Sequence, residues 1–296
     1  MTIGFVGLGR MGRPMATNLV RAGYRLVIRD ADRDTEQRFA DELGAASGRE
    51  STAFATVGVV ITMLPDGPAV RDAVLGDGVA DALPSGAVIV DMSSSDPHDT
   101  RGLGRDLGRR SVALVDAPVS GGVPRATDGT LAIMAGADDE AALERALPIL
   151  GVIGRRVFRT GPLGSGHAMK ALNNFCAAAE YTALAEALVL GRSFGLAPST
   201  MVEIVNNSTG RSFSSDVVFP EEVVTGRYAT GFAVGLLTKD VTIAAGIAER
   251  SGVDAPLCRL VQERWAGAAQ SLGFAADHSL AHKQWWDVDL SDGVPT

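Results

Sequence analysis

The chain has 296 residues, of which 46% are hydrophobic and 21% are charged, and its formal net charge at pH 7 is −8. Such a length is enough for about two domains, and an acidic chain without a basic cluster excludes a typical nucleic-acid-binding protein. The apolar runs are shorter than the roughly 20 residues that a membrane-spanning helix requires.

The compartment is predicted from the two cysteines and the first residues. Cys176 and Cys258 lie in apolar, helix-like segments far apart in the sequence, so we expect two reduced core residues rather than a disulfide. The chain starts directly in the strand-like run TIGFV, without the charged and apolar regions of a signal peptide. These features predict a cytoplasmic protein.

The first half of the chain alternates strand-like runs with helix-like segments. The runs, rich in β-branched residues, are IGFVG, YRLVIRD, VGVVITMLP, AVIVDMS and VALVDAPVS. Near-continuous apolar strands separated by helices are typical of βαβ units, in which helices cover both faces of a parallel sheet. We therefore predict an α/β Rossmann domain over residues 1–163.

The second half is helical throughout. A long Ala- and Leu-rich segment, GHAMKALNNFCAAAEYTALAEALVLGRSFG, is followed by further segments with helical spacing and no strand signal. We predict that residues 164–296 form an all-α domain and that a long interdomain helix leads into it.

A glycine-rich loop follows the first predicted strand. Gly7, Gly9 and Gly12 form the pattern G-x-G-x-x-G between a strand and a helix. Such glycines allow a tight turn, a close approach to a pyrophosphate and close packing of helix on strand. We predict that this loop binds a dinucleotide through Gly7, Leu8, Gly9, Arg10, Met11 and Gly12.

Asp30 ends the second predicted strand, at the position from which a carboxylate binds the ribose hydroxyls. A carboxylate there repels a 2′-phosphate, so we predict NAD, with NADP as the alternative cofactor. The neighbouring Arg29 and Arg33 are interpreted as solvated surface charges.

Lys170 is isolated among small and apolar residues near the start of the long helix, and Asn174 follows four positions later. Side chains with this spacing share one helix face. Oxidation of an alcohol by NAD requires a group that accepts the hydroxyl proton, and a lysine can do so in a setting that disfavours its charge. We predict that Lys170 is the acid/base and Asn174 its partner.

The sequence resembles the β-hydroxyacid dehydrogenase family, which includes 3-hydroxyisobutyrate dehydrogenase and tartronate semialdehyde reductase. The resemblance rests on four blocks in the order shown by the family: FVGLGRMGRPMATNL (5–19), DAPVSGG (116–122), GPLGSGHAMKALNN (161–174) and KDVTIA (239–244). It implies reversible oxidation of a small 3-hydroxy acid to its semialdehyde or oxo acid, with Lys170 and Asn174 as the catalytic pair.

The resemblance also implies further site residues. A turn formed by Ser120, Gly121 and Gly122 is expected to bind the substrate carboxylate, for which successive backbone N–H groups are suited. Lys239 is expected to contact the cofactor or substrate, with Phe232 nearby. The remaining cofactor contacts implied are Met63, Leu64, Pro65, Ser93 and Ser94. Members of the family commonly dimerise, so a homodimer or homotetramer is expected.

Three alternatives remain open. The first is an NADPH-dependent reductase of glyoxylate or succinic semialdehyde, against which Asp30 argues. The second is an imine reductase, a class that typically lacks the lysine at position 170. The third is a nucleotide-binding protein without catalysis. His278 and His282 have the spacing of metal ligands on a helix, but we interpret them as a surface or partly buried pair and predict no metal site.

Overall fold

The computed structural model of the protein describes residues 1–286, 288, 290 and 291, and the rest of the predicted second domain lies outside the described residues. The chain divides into two compact units, Met1–Lys170 and the residues from Ala171 onward. The strands of the first unit are β1 (Thr2–Val6), β2 (Arg25–Arg29), β3 (Ala46–Ser47), β4 (Val59–Thr62), β5 (Val88–Asp91), β6 (Ala113–Asp116), β7 (Val119–Ser120), β8 (Leu131–Ala137) and β9 (Gly154–Gly161).

Within the described residues these nine strands form one sheet, in the order β3-β2-β1-β4-β5-β6-β8-β7, with β9 paired to β8. Six neighbouring strands, in the order β3-β2-β1-β4-β5-β6, are parallel, as the sequence predicts. The sheet is nevertheless mixed, because β8 runs antiparallel to both β6 and β7. The parallel part of the sheet is the part that the predicted βαβ units form.

Successive side chains of the central strands pack on opposite faces of the sheet, as the two-residue period of a strand requires. Ile3 and Phe5 belong to one buried cluster, whereas Val6 belongs to a second. Helices cover both faces, and the central strands are accordingly apolar except at their carboxyl ends, where Thr62, Asp91 and Asp116 lie. The helices of this unit are α1 (Gly12–Arg21), α2 (Arg33–Leu43), α3 (Gly67–Arg71), α4 (Val79–Ala82), α5 (Pro97–Gly108), α6 (Gly122–Thr127) and α7 (Glu140–Ile153).

Helix α8 (Ser165–Arg192) has 28 residues and carries the chain from the first unit into the second. The helices that follow are α9 (Pro198–Asn206), α10 (Val234–Ser251), α11 (Pro256–Leu272) and α12 (Ala281–Trp286), with a π-helical segment over Ser214–Val223. No strand follows β9 in the described part of the chain. The predicted fold class is confirmed: a Rossmann-type α/β domain precedes an all-α domain, and a long helix joins them.

The core of the second unit is centred on two buried aromatic side chains. Trp265 donates from Nε1 to Oγ1 of Thr182 at 3.1 Å, and Tyr181 donates from its hydroxyl to the carbonyl of Ser279 at 2.7 Å. The two rings lie edge to face, 5.4 Å apart. Each polar tip therefore has a partner inside an apolar cluster, which favours one packing arrangement.

The two cysteines differ in exposure. Cys258 is buried, as predicted, but Cys176 is exposed on α8. The prediction that both are core residues was wrong for Cys176, which shares a helix face with Asn173 and Glu180.

Candidate active site

The glycine loop between β1 and α1 has the geometry that a pyrophosphate requires. Gly7 has φ +99°, and a Cβ on Gly12 would lie 1.9 Å from the carbonyl oxygen of Gly7, so neither position accepts a side chain. A Cβ on Gly9 would meet no atom within 4 Å. No side chain caps the start of α1. The open space at Gly9 and the uncapped N–H groups fit the pyrophosphate of a dinucleotide.

Asp30 fixes the glycine loop to the end of β2. Its Oδ2 accepts a hydrogen bond of 2.6 Å from the backbone N–H of Leu8, and its Oδ1 accepts one of 2.9 Å from the N–H of Asp32. Arg29 pairs with Asp77 at 3.0 Å, so its guanidinium is held by a partner rather than simply solvated. The half-buried Asp30 therefore has a structural role besides the ribose contact predicted for it.

A cavity of about 510 Å³ adjoins the glycine loop. It is lined by Leu8, Gly9 and Arg10 from the loop, and three further arginines, Arg13, Arg21 and Arg38, also line it. One of these is already paired, since Arg13 lies 2.6 Å from Glu42. This concentration of positive charge contrasts with the acidic chain as a whole and favours anionic groups near the loop.

The predicted contacts after β4 and β5 are linked to each other. The backbone N–H of Leu64 donates to Oγ of Ser93 at 2.9 Å. Ser93 is buried, while Met63 and Ser94 are half-buried and Pro65 is exposed. The Ser93 hydroxyl thus orders the loop beside it, which lies at the carboxyl edge of the sheet where dinucleotides bind.

The segment predicted to bind the carboxylate turns sharply at the end of β7. Ser120 is half-buried, and Gly121 and Gly122 are exposed with φ of +134° and +66°. Arg125 lies so close that a Cβ on Gly121 would be 2.5 Å from its side chain. Glycine is therefore required in this turn, and the backbone stays accessible.

Lys170 and Asn174 both lie on α8, one helical turn apart. Lys170 is half-buried and Asn174 is 6% exposed. Nδ2 of Asn174 donates a hydrogen bond of 2.6 Å to Oδ2 of Asp240. This charge-assisted bond fixes the amide in a single orientation.

Asp240 also contacts Lys239, since Nζ of Lys239 lies 3.1 Å from its Oδ1. The structure thus brings Lys239 and Asn174 together through one carboxylate. Lys239 lies in the second turn of α10. Phe232 precedes α10, and its ring packs against that of His278 at 5.7 Å.

Comparisons with known proteins agree with this geometry. Residues 2–161 match the family model described as the NAD binding domain of 6-phosphogluconate dehydrogenase. Residues 164–285 match the model described as NAD-binding of NADP-dependent 3-hydroxyisobutyrate dehydrogenase. Both models are described as NAD-binding, so the cofactor of the chain is NAD(P).

Full-length relatives are also found. The chain is 36% identical to 2-(hydroxymethyl)glutarate dehydrogenase of Eubacterium barkeri, over 96% of this chain and 94% of that protein. It is 39% identical to a protein of Arabidopsis thaliana named "Probable 3-hydroxyisobutyrate dehydrogenase, mitochondrial", over 96% and 87% of the two chains. The structure of Mycobacterium tuberculosis 3-hydroxyisobutyrate dehydrogenase with L-serine superposes with a TM-score of 0.88, at 32% identity and over 96% of this chain and 99% of that one.

The chain belongs to the β-hydroxyacid dehydrogenase family.

Three buried acidic residues of this β-hydroxyacid dehydrogenase were not among the predicted site residues. Asp240 holds Asn174 and Lys239, while Asp91 and Asp116 end β5 and β6. Asp240 lies within the KDVTIA block, which could have indicated it. Asp91 and Asp116 are the last residues of apolar strands. A carboxylate at such a position indicates the carboxyl edge of the sheet.

The described residues hold neither a metal cluster nor a membrane-spanning helix. Within the described ranges of the chain, no cluster of three His, Cys, Asp or Glu side chains could hold a metal ion. His282 is buried and its Nδ1 lies 3.0 Å from the hydroxyl of Tyr181. Among the described residues, no helix has the length and apolar character needed to cross a membrane.

Proposed function

We propose that this dehydrogenase interconverts a small 3-hydroxy acid and its semialdehyde, with Lys170 as the acid/base. The observation that carries the proposal is the pair on α8: a half-buried lysine and, one turn later, a buried asparagine held by Asp240 at 2.6 Å. An amide whose N–H group is already bound to a carboxylate presents its oxygen in a fixed direction.

The cofactor would be held by Gly7–Gly12, Asp30, Met63–Pro65, Ser93, Ser94 and Lys239. Bound NAD(P) supplies the hydride acceptor for oxidation and the hydride donor for reduction. Lys170 takes the proton from the substrate hydroxyl during oxidation and returns it during reduction. Asn174 orients that hydroxyl beside Lys170.

The substrate carboxylate binds at the turn formed by Ser120, Gly121 and Gly122, because the two glycines are exposed and successive backbone N–H groups suit an anion. Lys239 and Phe232 of the second unit are two further proposed substrate contacts; Asp240 lies 3.1 Å from Nζ of Lys239, and Phe232 is half-buried. The turn fixes the carboxylate of the substrate, and Lys170 and Asn174 fix its hydroxyl. The distance between these two groups therefore determines which acids are substrates.

The substrate class follows from the chemistry named for the relatives. Hydroxyisobutyrate, (hydroxymethyl)glutarate and L-serine all carry a primary alcohol on the carbon next to the one that bears a carboxylate. We propose that this chain oxidises such 2-substituted 3-hydroxypropanoates. The alcohol loses two electrons and two protons: NAD(P)⁺ becomes NAD(P)H, and one proton leaves through Lys170.

NAD is the preferred cofactor in this proposal, because the carboxylate of Asp30 lies at the end of β2 and repels a 2′-phosphate. We also propose a cytoplasmic location, which the two free cysteines support. A homodimer or homotetramer is supported by apolar side chains exposed along and just beyond α8, including Leu190 at 62% and Phe194 at 85%. Sedimentation velocity measures this assembly directly.

The experiment is a set of initial rates with 3-hydroxyisobutyrate, 2-(hydroxymethyl)glutarate and L-serine, each with NAD and with NADP. A secondary 3-hydroxy acid completes the oxidations, and a cyclic imine, glyoxylate and succinic semialdehyde are tested with NADH and with NADPH. Turnover of a primary 3-hydroxy acid with NAD supports the proposal. Exclusive reduction of the imine, or of glyoxylate or succinic semialdehyde with NADPH, overturns it, and NAD(H) binding without any turnover indicates a non-catalytic protein.

A further inference from the structure

Three buried titratable side chains lie where β5 and β6 end and α8 begins. Asp91, Asp116 and His167 are 2%, 0% and 1% exposed, respectively. All three belong to the first unit, and none of them is among the residues proposed to touch the cofactor or the substrate. Buried charged groups are costly unless they are hydrogen-bonded, so such a cluster needs a reason.

Asp116 fixes the start of α8. Its Oδ1 accepts a hydrogen bond of 2.7 Å from the N–H of Gly164, and its Oδ2 accepts one of 2.8 Å from the N–H of His167. Burial raises the pKa of the Asp116 carboxyl, which the contact with His167 partly opposes. The first turn of the helix is therefore attached to the end of β6 by a carboxylate inside the protein.

The His167 ring makes a second attachment, to α5. Nδ1 lies 2.8 Å from Oγ1 of Thr100, and Thr100 donates its single hydroxyl proton to the carbonyl of Asp96 at 2.9 Å. Nδ1 must therefore carry the proton of the His167–Thr100 bond. The ring is held in one orientation and one tautomer.

The other ring nitrogen faces β5. Nε2 of His167 lies 3.6 Å from Oδ2 of Asp91 and forms no hydrogen bond within the part of the chain that the structure describes. Asp91 itself accepts from the hydroxyl of Thr62, from the N–H of Ser93 and from the hydroxyl of Ser95. Asp91 thus orders the loop that carries Ser93, whose hydroxyl accepts from the N–H of Leu64, and its carboxylate lies beside the His167 ring.

We propose that His167 is a positioning residue for Lys170, which follows it by three residues on α8. The backbone N–H of His167 links the helical turn that carries the lysine to β6, and the ring links it to α5. The inference rests on the proposed function only in that Lys170 is the acid/base. A displacement of a reacting group by about 1 Å can lower the rate of a reaction about a hundredfold. The turnover number therefore depends on this attachment of the helical turn.

The test compares His167→Leu, which removes both ring nitrogens, with His167→Gln, which restores a donor and an acceptor at similar length. His98→Leu is the matched control, because His98 is exposed on α5. Thr100→Val removes only the hydroxyl that binds Nδ1, and it keeps the test available if His167→Leu does not fold. We expect kcat to fall by about tenfold or more in His167→Leu while KM changes less than about threefold. We expect kcat to recover partly in His167→Gln. We expect a smaller loss of kcat in Thr100→Val and no loss of kcat in His98→Leu.

A readout independent of turnover is the rate at which trinitrobenzenesulfonate modifies Lys170 in the cofactor-free protein, followed by mass spectrometry across pH. His167→Leu should shift the pH profile of this labelling, and His167→Gln should shift it less. The proposal is overturned if folded His167→Leu keeps its kcat and the labelling profile of the wild type. If Lys170→Ala itself keeps full activity, the proposed function fails, while the labelling still tests the positioning role.

Discussion

The side chain of Asn174 donates a hydrogen bond of 2.6 Å to Asp240, a carboxylate that is 3% exposed. The other oxygen of Asp240 lies 3.1 Å from Nζ of Lys239. One buried carboxylate therefore orients both polar side chains that the sequence predicts for the second unit. We expect Asp240 to act on catalysis through these two neighbours.

Replacing Asp240 by Asn removes the charge but keeps the shape of the side chain. Hydrogen bonds to charged groups contribute about 1.5–3 kcal/mol, so we expect kcat/KM to fall by about ten- to a hundredfold. Steady-state kinetics measure this loss. The control is Asp254→Asn, since Asp254 forms an exposed ion pair with Arg259. An equal effect of the two substitutions would contradict the role given to Asp240.

The glycine loop allows a contrast between two alanine substitutions. Gly12→Ala places a Cβ 1.9 Å from the carbonyl oxygen of Gly7, whereas Gly9→Ala meets no atom within 4 Å. We expect Gly12→Ala to lower the free energy of unfolding by about 1–3 kcal/mol. Gly9→Ala should unfold like the wild type but bind NADH at least about tenfold more weakly, because its methyl group occupies the space of the pyrophosphate.

Denaturant titration and NADH fluorescence measure the two quantities. Gly108→Ala is the control, since its Cβ also meets nothing within 4 Å and lies at the end of α5. Unchanged NADH affinity in Gly9→Ala would rule out the proposed path of the cofactor over this loop.

Asp30→Asn tests the cofactor preference. An asparagine can still accept from the N–H of Leu8, which Asp30 binds at 2.6 Å, but it does not repel a 2′-phosphate. We expect the ratio of NADPH to NADH affinity to rise by about tenfold or more, helped by the arginine-lined cavity beside the loop. Equilibrium titration of both nucleotides gives the ratio, with the exposed Asp34→Asn as control. A constant ratio would mean that Asp30 serves only to hold the loop.

His278 makes the stability of the second unit sensitive to acid. Burial lowers the pKa of His278, an effect that Asp277 partly opposes. The unfolded chain then binds a proton at a higher pH than the folded chain, so stability is complete above about pH 6.5 and is lost as the pH falls through the folded pKa. His278→Gln should flatten this dependence, while His98→Gln, at an exposed site, should keep the wild-type slope. Urea titrations between about pH 5 and pH 7.5 compare the slopes.

Parts of the fold could be predicted from two patterns in the sequence. Apolar runs predicted strands, and the helical spacing of apolar residues predicted helices. Strands β1, β2, β4, β5 and β6 have near-continuous apolar runs, and α8, α10 and α11 have clear helical spacing, whereas β3 and β8 were not among the predicted runs. Strand β9 was missed because most of its side chains are exposed and three are arginines, Arg155, Arg156 and Arg159. An edge strand of this kind has no apolar pattern to detect.

The candidate site was predictable where residues follow one another in the chain. The spacing of Lys170 and Asn174 already implies one helix face. The contacts of Asn174 with Asp240 and of His167 with Asp91 join residues 66 and 76 positions apart. Such pairs depend on how elements pack, and a single sequence carries no signal for them.

Lys170→Ala tests the central claim most directly, because the substitution removes the acid/base and leaves the glycine loop intact. The measurement is the single-turnover rate of NADH formation with saturating 3-hydroxy acid, alongside the NADH affinity of the same variant. We predict that the rate falls by about a hundredfold or more while NADH affinity changes by less than about threefold. A single-turnover rate that survives the substitution would show that another group moves the proton, and would contradict this account.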